Sequence, residues 1–415
     1  MSETIDLGAS TSHIRRITLV LFLAALAAGF AEFGATTSLN DVARHFGHVT
    51  SSNTLQSVVG LSGSSLGLGL AAYRLSSLAA LPLSSLADRW GRTKVLRRTL
   101  ITGLLITALA ALSPNYWFFV LCFAVARPLL SVANTLIQII TVELASTRLR
   151  VQRIAFMAAG LGIGSGLSAV VHGLVRGTDS FRWLFALALV PVLTIVPLLR
   201  AVPEPPTRSS DDRRAHLGVV PREAWERLSV VSVVAFVIGV ISGPAGGFTF
   251  VYSEGILKMR PSSVSLVVVT SGAAGLLGLF ASRRFARTLG RRWTVGAGVV
   301  ATAIASTYAY SGGKTSFIVG YILCVGAGGL LSPAMTALCT EIFAHRFRAT
   351  AAGWITIAGV LGAIVGLGVF GWIGDAVHTS VMNGLRVPAL VTFLPLVPAM
   401  SLLARVPESK GMQLE

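Results

Sequence analysis

Apolar positions in this chain run on without alternating, and short polar stretches punctuate them. The first run covers about 17–38, after a polar opening of 14 residues and the pair Arg15-Arg16. The next runs fall near 58–86, 99–113, 116–142, 154–175 and 183–201. Six more follow near 229–252, 262–282, 293–311, 315–340, 350–375 and 387–404. A helix needs about 20 apolar residues to cross hydrocarbon about 30 Å thick. Helices satisfy their own backbone in lipid, so each run is expected to be one spanning helix. The pattern predicts an all-α membrane protein with twelve transmembrane helices. The first run is too long for the core of a signal peptide and lacks a small-residue cleavage site, so it is expected to be retained.

The polar punctuation repeats. Asp88-Arg89-Trp90-Gly91-Arg92 has an echo in Arg287-Thr288-Leu289-Gly290-Arg291-Arg292. Glu143 and Arg150 are matched by Glu341 and Arg348, and Val202-Pro203-Glu204 by Val406-Pro407-Glu408. All three matches lie at an offset of about 200 residues, the mark of an internal repeat. We therefore expect an N-terminal six-helix half over 1–202, a cytoplasmic linker over 203–228 and a C-terminal half over 229–415. Parallel six-helix repeats are a transporter architecture with a site between the halves.

Composition sharpens this picture. Only 12% of residues are charged and 53% are hydrophobic, with a mean hydropathy of +0.74. A soluble domain carries about 25% charged residues, so lipid is the solvent for most of this chain. The net charge of +17 does not point to nucleic acid, because the bases lie in short clusters between apolar runs. Their bias to one side predicts that both termini face the cytoplasm, in a multi-pass protein of the plasma or inner membrane. Cys122, Cys324 and Cys339 sit inside apolar runs without metal or disulfide spacing. No phosphate-binding loop or zinc spacing occurs, so neither cofactor nor metal is expected and an enzyme is disfavoured.

Charges within spans are costly and default to functional candidates. Glu32, Arg74 and Arg127 are the three that fall near mid-depth. A carboxylate beside a guanidinium stays ionised; drawn away from it in a dry site, it takes a proton. Arginine holds its own proton, so Glu32 is the titrating candidate. A static ion pair holding two helices in register is the alternative. Arg127, Ser131, Asn134 and Gln138 form one stripe on the fourth helix, and Glu32, Thr36 and Asn40 form one on the first. Such stripes face protein or a water-filled cavity. Two arginines against one acid lean the cavity towards an anionic or strongly hydrogen-bonding solute. Phe248, Phe250, Tyr252 and Trp354 are the lining candidates from the second half. Of the seven histidines, His172 is the one well inside a span, where packing or hydrogen bonding is expected. Small-residue pairs at Gly63/Gly67, Gly160/Gly164, Gly162/Gly166 and Gly362/Gly366, with Gly272, Gly275 and Gly278, either mark where the halves meet or pack helices within a half.

The stretch Leu86-Ala87-Asp88-Arg89-Trp90-Gly91-Arg92-Thr93-Lys94-Val95-Leu96 resembles the signature that follows the second helix in the major facilitator superfamily. Ser84 stands where the signature begins with Gly, and Thr93 where it has a base. A narrower likeness joins Thr340–Thr350 and the ending Pro407–Glu415 to sugar porters and metabolite–proton symporters. The seventh span carries Ser242-Gly243-Pro244-Ala245-Gly246-Gly247 in place of the hexose carriers' paired glutamines. The fifth lacks the Gly-Pro of drug antiporters. The resemblance implies that Arg127 matches a fourth-helix arginine used in proton coupling and that Glu32 stands where proton-coupled relatives carry an acid. It also implies a cytoplasmic gate. Asp88 would meet the N-terminus of the eleventh helix and Arg92 would pair with Glu143, with Arg89, Gly91 and Arg150 beside them. Glu341 with Arg291 or Arg348 would be what remains of the second-half copy.

The expected function is secondary active transport of a small organic solute by alternating access. Proton coupling is expected, with a lean to an organic anion or metabolite. Multidrug or metabolite efflux by antiport is the rival reading, and a transporter-like solute sensor is a further one. The expected partners are a small-molecule substrate, a proton and the lipid bilayer, with the protein a monomer.

Overall fold

The computed structural model describes residues 11–49, 55–144, 150–175, 177, 179–204, 222–343, 348–377, 385–393, 400–401 and 403–404. Every regular element among them is helical. In the first half these are α1 (Thr11–Thr37), α2 (Leu39–Phe46), α3 (Leu55–Val59), α4 (Gly63–Ser76), α5 (Ala80–Trp90), α6 (Arg92–Leu109), α7 (Tyr116–Glu143), α8 (Arg150–Leu174), α9 (Ser180–Ala186) and α10 (Leu189–Leu198). The second half has α11 (Arg222–Gly247), a π-helical turn (Val251–Ile256), α12 (Pro261–Thr288), α13 (Arg291–Ala309), α14 (Lys314–Ile342), α15 (Arg348–Ala376) and α16 (Arg386–Phe393). Among the described residues, ten helical stretches are long and apolar enough to span a membrane. Helix α13 stands at the ninth predicted span and α16 at the start of the twelfth. The chain is an all-α membrane protein of two six-helix halves. Most of the linker and the whole Pro407–Glu415 ending lie outside the described residues.

The second expected span is broken, and the first ends, where hydroxyls compete for backbone carbonyls. Ser76 and Ser77 donate to the carbonyls of Tyr73 and Arg74 at 2.8 and 2.6 Å. A short 3-10 turn, Ser77–Ala79, then separates α4 from α5. Thr37 and Ser38 both donate to the Gly34 carbonyl, at 3.1 and 2.8 Å, which separates α1 from α2. Polar residues 40 and 41 are therefore carried beyond the expected end of the first span but remain in the bundle. Gly91 and Gly290, the same position of the two repeats, both take positive φ, 95° and 94°. Each turns the chain sharply between consecutive helices where a side chain would be strained.

The halves meet at the end of the bundle away from residues 88–92. Call this the far end, and the other the basic end. The Asp375 carboxylate, at the close of α15, accepts from the Gly63 and Ser64 amides at 2.6 and 2.9 Å and from the Ser64 hydroxyl at 2.5 Å. A methyl group on Gly67 would lie 2.5 Å from the Leu367 carbonyl oxygen. On the other side of the seam α8 runs along α12. Gly173 approaches Ser262 and Ser265, and the Ser265 hydroxyl donates to the Ala169 carbonyl. One turn further Gly166 is 4.0 Å from Val269. One more turn on, Gly162 and Gly272 have nothing within 4 Å of a side-chain position. The halves are joined at the far end and parted towards the basic end.

Two of the four small-residue pairs, with Gly275 and Gly278, serve packing inside a half. Methyl groups on Gly160 and Gly164 would strike Phe22 and the Leu26 carbonyl of α1. On Gly362 and Gly366 they would strike Phe236 and Val240 of α11, and on Gly278 the Gly326 carbonyl of α14. Only Gly63, Gly67 and Gly166, of those singled out, touch the opposite half. Two large apolar clusters lie among the helices, while leucines such as Leu193 and Leu277 are exposed, as a lipid-facing surface requires. The chain's seven tryptophans, at 90, 117, 183, 225, 293, 354 and 372, are all exposed.

Candidate functional site

The first and fourth spans bring Glu32 and Arg127 together. Arg127 Nη1 lies 3.1 Å from Glu32 Oε2. Ser131, one turn further along α7, points its hydroxyl at Glu32 Oε1 from 3.3 Å. Tyr73 of α4 completes the arrangement. Its hydroxyl accepts from Arg127 Nη1 at 2.6 Å and donates to the Glu32 carbonyl at 2.9 Å. The guanidinium stands 4.8 Å over the Tyr73 ring, a cation–π contact. Arg127 Nε is buried without a partner. Three helices thus converge on one carboxylate, and Pro128 follows the arginine inside α7. The sequence reading missed Tyr73. Its signal was its place next to Arg74, in a span otherwise poor in large polar side chains.

Arg74 lies in the same region, within electrostatic reach of Arg127, Glu32 and Tyr73. Arg127 spends its charge on Glu32, so the local balance is positive. Thr36, Asn134 and Gln138 are half-buried on the expected stripes. Asn40 is turned elsewhere, with Nδ2 3.4 Å from Glu254 Oε2.

Three of the aromatic candidates of the second half, Phe248, Phe250 and Tyr252, are buried in the core and do not line a cavity with Glu32. Phe248 is fully buried and packs against the Phe370 ring at 4.8 Å. Tyr252 packs against Tyr310 at 4.8 Å, and its hydroxyl accepts from the Gly312 amide at 2.8 Å. Both are core residues of the second half, because their rings fill the space between helices behind the cavity wall. Phe250 is also fully buried, against His172 and Phe33. Trp354 is exposed.

At the basic end Arg92 pairs with Glu143. Glu204, from the repeated Pro-Glu motif, accepts from the Thr93 amide at 3.1 Å and lies against Gly91. Both contacts stay within the first half. They exist while the basic end is parted, so the Arg92–Glu143 pair does not need that end to be closed. Arg89 is exposed and Arg291 is half-buried. The side chains of Asp88, Arg150, Glu341 and Arg348 lie outside the described residues, as does most of the 340–350 loop. No group of three potential metal ligands occurs among the described residues.

The Major Facilitator Superfamily model matches residues 21–259 and 247–413. The chain is 24% identical over 369 residues to a probable 4-methylmuconolactone transporter of Cupriavidus pinatubonensis, covering 84% of this chain and 82% of that one. It is 24% identical over 305 residues to the cis,cis-muconate transport protein of Acinetobacter baylyi, covering 69% and 73%. Among solved structures it is similar to a bacterial homologue of the human lysosomal transporter Spinster in an inward-facing, occupied conformation. That match has a TM-score of 0.76 and 16% identity over 96% of this chain and 97% of the other. A D-xylose–proton symporter gives a TM-score of 0.74 at 19% identity, over 97% and 100%. Both structural likenesses concern the fold. With its helical halves, its signature stretch and matches along nearly its whole length, the chain belongs to the Major Facilitator Superfamily of membrane transporters.

Proposed function

We propose that this transporter carries a small organic anion, of the unsaturated carboxylate type, together with a proton. The observation that carries the anion reading is the charge balance of the cavity. Glu32 neutralises Arg127, and Arg74 remains as the positive group beside them. A guanidinium offers a planar fork that fits a carboxylate. The names of the muconate and muconolactone relatives agree with a substrate of this chemistry. Arg74 and Arg127 would hold substrate, and Glu32 would carry the proton. Thr36, Ser131, Asn134 and Gln138 would complete the polar wall. The bias of bases places the basic end in the cytoplasm, in the inner or plasma membrane, with both termini inside. On that orientation the parted end opens inward. The gate at Asp88, Arg89, Gly91 and Arg92 would then act between its own half and the start of α15 when the inner end closes.

The test is transport of cis,cis-muconate by the full chain in proteoliposomes. Muconate should accumulate when the outside is made acid. Arg74→Gln should lower its apparent affinity by about tenfold or more, the loss of one charge-assisted contact. Equal transport of a neutral sugar, or an unchanged affinity in Arg74→Gln, would reject the carboxylate reading. Glu32→Gln should abolish acid-driven accumulation and leave exchange of labelled for unlabelled muconate intact. Unchanged accumulation would remove Glu32 from coupling.

A further inference from the structure

We propose that His172, Glu254 and Asp41 form a proton-binding site in the far-end seam, separate from Glu32 and Arg127, whose occupancy holds the two halves together there. His172 belongs to α8 and Asp41 to α2, both in the first half. Glu254 comes from the π-helical turn of the second half. His172 Nε2 lies 2.9 Å from Glu254 Oε1. Its Nδ1 faces Asp41 Oδ2 at 3.5 Å, too long and poorly aligned for a hydrogen bond, and has no hydrogen-bond partner among the described residues. The ring is 1% exposed and Glu254 5%. Asp41 stands nine residues beyond Glu32, on α2, past the break that ends α1.

Proton counting follows from the geometry. A neutral imidazole has one N–H and one lone pair. Between two ionised carboxylates it can donate to only one of them. The other nitrogen would then turn its lone pair on a carboxylate oxygen in a site closed to water, which is costly. The remaining contacts fix where a further proton belongs. The Ser180 hydroxyl donates to Asp41 Oδ2, the same oxygen that faces the ring, and Asn40 Nδ2 stands 3.4 Å from Glu254 Oε2. Asp41 is therefore served as an acceptor on the oxygen that faces the ring, and the further proton lies between His172 Nε2 and Glu254 Oε1. Arg44, one turn along α2, is the cation within reach of Asp41, and Lys258 is near Arg44. From α12 the seam receives the Ser265 hydroxyl, the Ser262 backbone and the apolar Val264, and from the π-turn the Phe250 ring, 5.6 Å from His172. With that proton in place, His172 and Arg44 balance Asp41 and Glu254. Without that proton, the buried Glu254 and the partly buried Asp41 face one arginine.

Parting the halves at this end removes Glu254 from the ring and lets water in. A neutral imidazole beside Asp41 then suffices, as it does in water near neutral pH. Joining the seam takes up one proton and parting it releases one. Acid therefore favours the joined far end and alkali the parted one. For one proton, the ratio of joined to parted forms changes by up to about tenfold per pH unit. The π-turn is what makes the site. Six residues wound more widely carry Glu254 into the seam, and such turns recur at functional positions. This site needs no assumption about the substrate, so it stands or falls apart from the carboxylate reading.

The experiment is double electron–electron resonance on the full chain in lipid nanodiscs without substrate. Spin labels are placed at Val49→Cys and Arg260→Cys, both exposed at the far end, with the three native cysteines replaced by serine. The short-distance population should grow as pH is lowered from about 8.5 to about 5.5, either side of the ordinary imidazole range. His172→Gln keeps the size and polarity but cannot take the proton, and should abolish the response. Glu254→Gln, an independent variant should the first fold poorly, should weaken it at least severalfold. A distance distribution indifferent to pH overturns the proposal. So does a full response in both His172→Gln and Glu254→Gln.

Discussion

Tyr73 touches both members of the central ion pair. Its hydroxyl accepts from the Arg127 guanidinium and donates to the Glu32 carbonyl. Removing it by Tyr73→Phe leaves a buried charged donor with one partner fewer. Hydrogen bonds to charged groups contribute about 1.5–3 kcal/mol, so the variant should unfold at lower temperature in detergent. Its acid-driven transport should also respond at a shifted external pH. A melting curve and a pH profile matching the parent would mean that the hydroxyl contributes nothing. Glu32 and Arg127 were legible in the sequence because a charge inside an apolar run has few explanations. Asp41 and Glu254 were not. They stand just past the expected ends of their spans, where charge is ordinary. What carries them into the protein is the pair of hydroxyls on the Gly34 carbonyl and the π-turn, neither of which leaves a periodic signal.

Close packing between helices explains the glycines at the scale of elements. A methyl group on Gly362 would sit 1.9 Å from the Phe236 carbonyl oxygen, so α11 and α15 would have to separate. Overpacking of this kind costs about 1–3 kcal/mol. Gly362→Ala should therefore lower the melting temperature measurably. Gly162→Ala and Gly272→Ala, with nothing within 4 Å, should leave it unchanged. These two lie on helices that meet nearer the far end. If the basic end closes by bringing α8 onto α12, alanine there should instead slow transport while leaving stability alone, which rate measurements on the two variants would reveal. The small-residue pattern could be read from the sequence but its partner could not. Glycine spacing marks a helix face, and nothing in the spacing says which neighbour lies on that face. The twelve apolar runs were legible for the opposite reason, since length and hydropathy are properties of the run itself.

For the whole molecule, the joined far end and parted basic end set the direction of the next change. Asp375 holds the start of α4 by three hydrogen bonds across the seam. A carboxylate there also faces the positive end of a helix dipole. Asp375→Asn keeps the shape and loses the charge. It should shift the population towards a parted far end, read as faster labelling of a cysteine placed at Ser64. Labelling at the parent rate would mean that the charge does not hold the seam. The repeat was visible in the sequence from the Asp88 stretch and its echo. The conformation was not, because the same residues must serve both the joined and the parted arrangement.

The tryptophans carry a practical consequence. Since all seven are exposed at the surface, none is packed in the interior as a reporter of folding. Trp90, Trp225, Trp293 and Trp354 lie towards the basic end, and Trp117, Trp183 and Trp372 towards the far end, as in the two aromatic girdles of a membrane protein. The protein's ultraviolet emission is therefore a signal from its lipid boundary. Brominated acyl chains should quench it strongly, and a change of detergent should move its maximum. A ligand settling beside Arg74 would pass almost unseen by this optical probe.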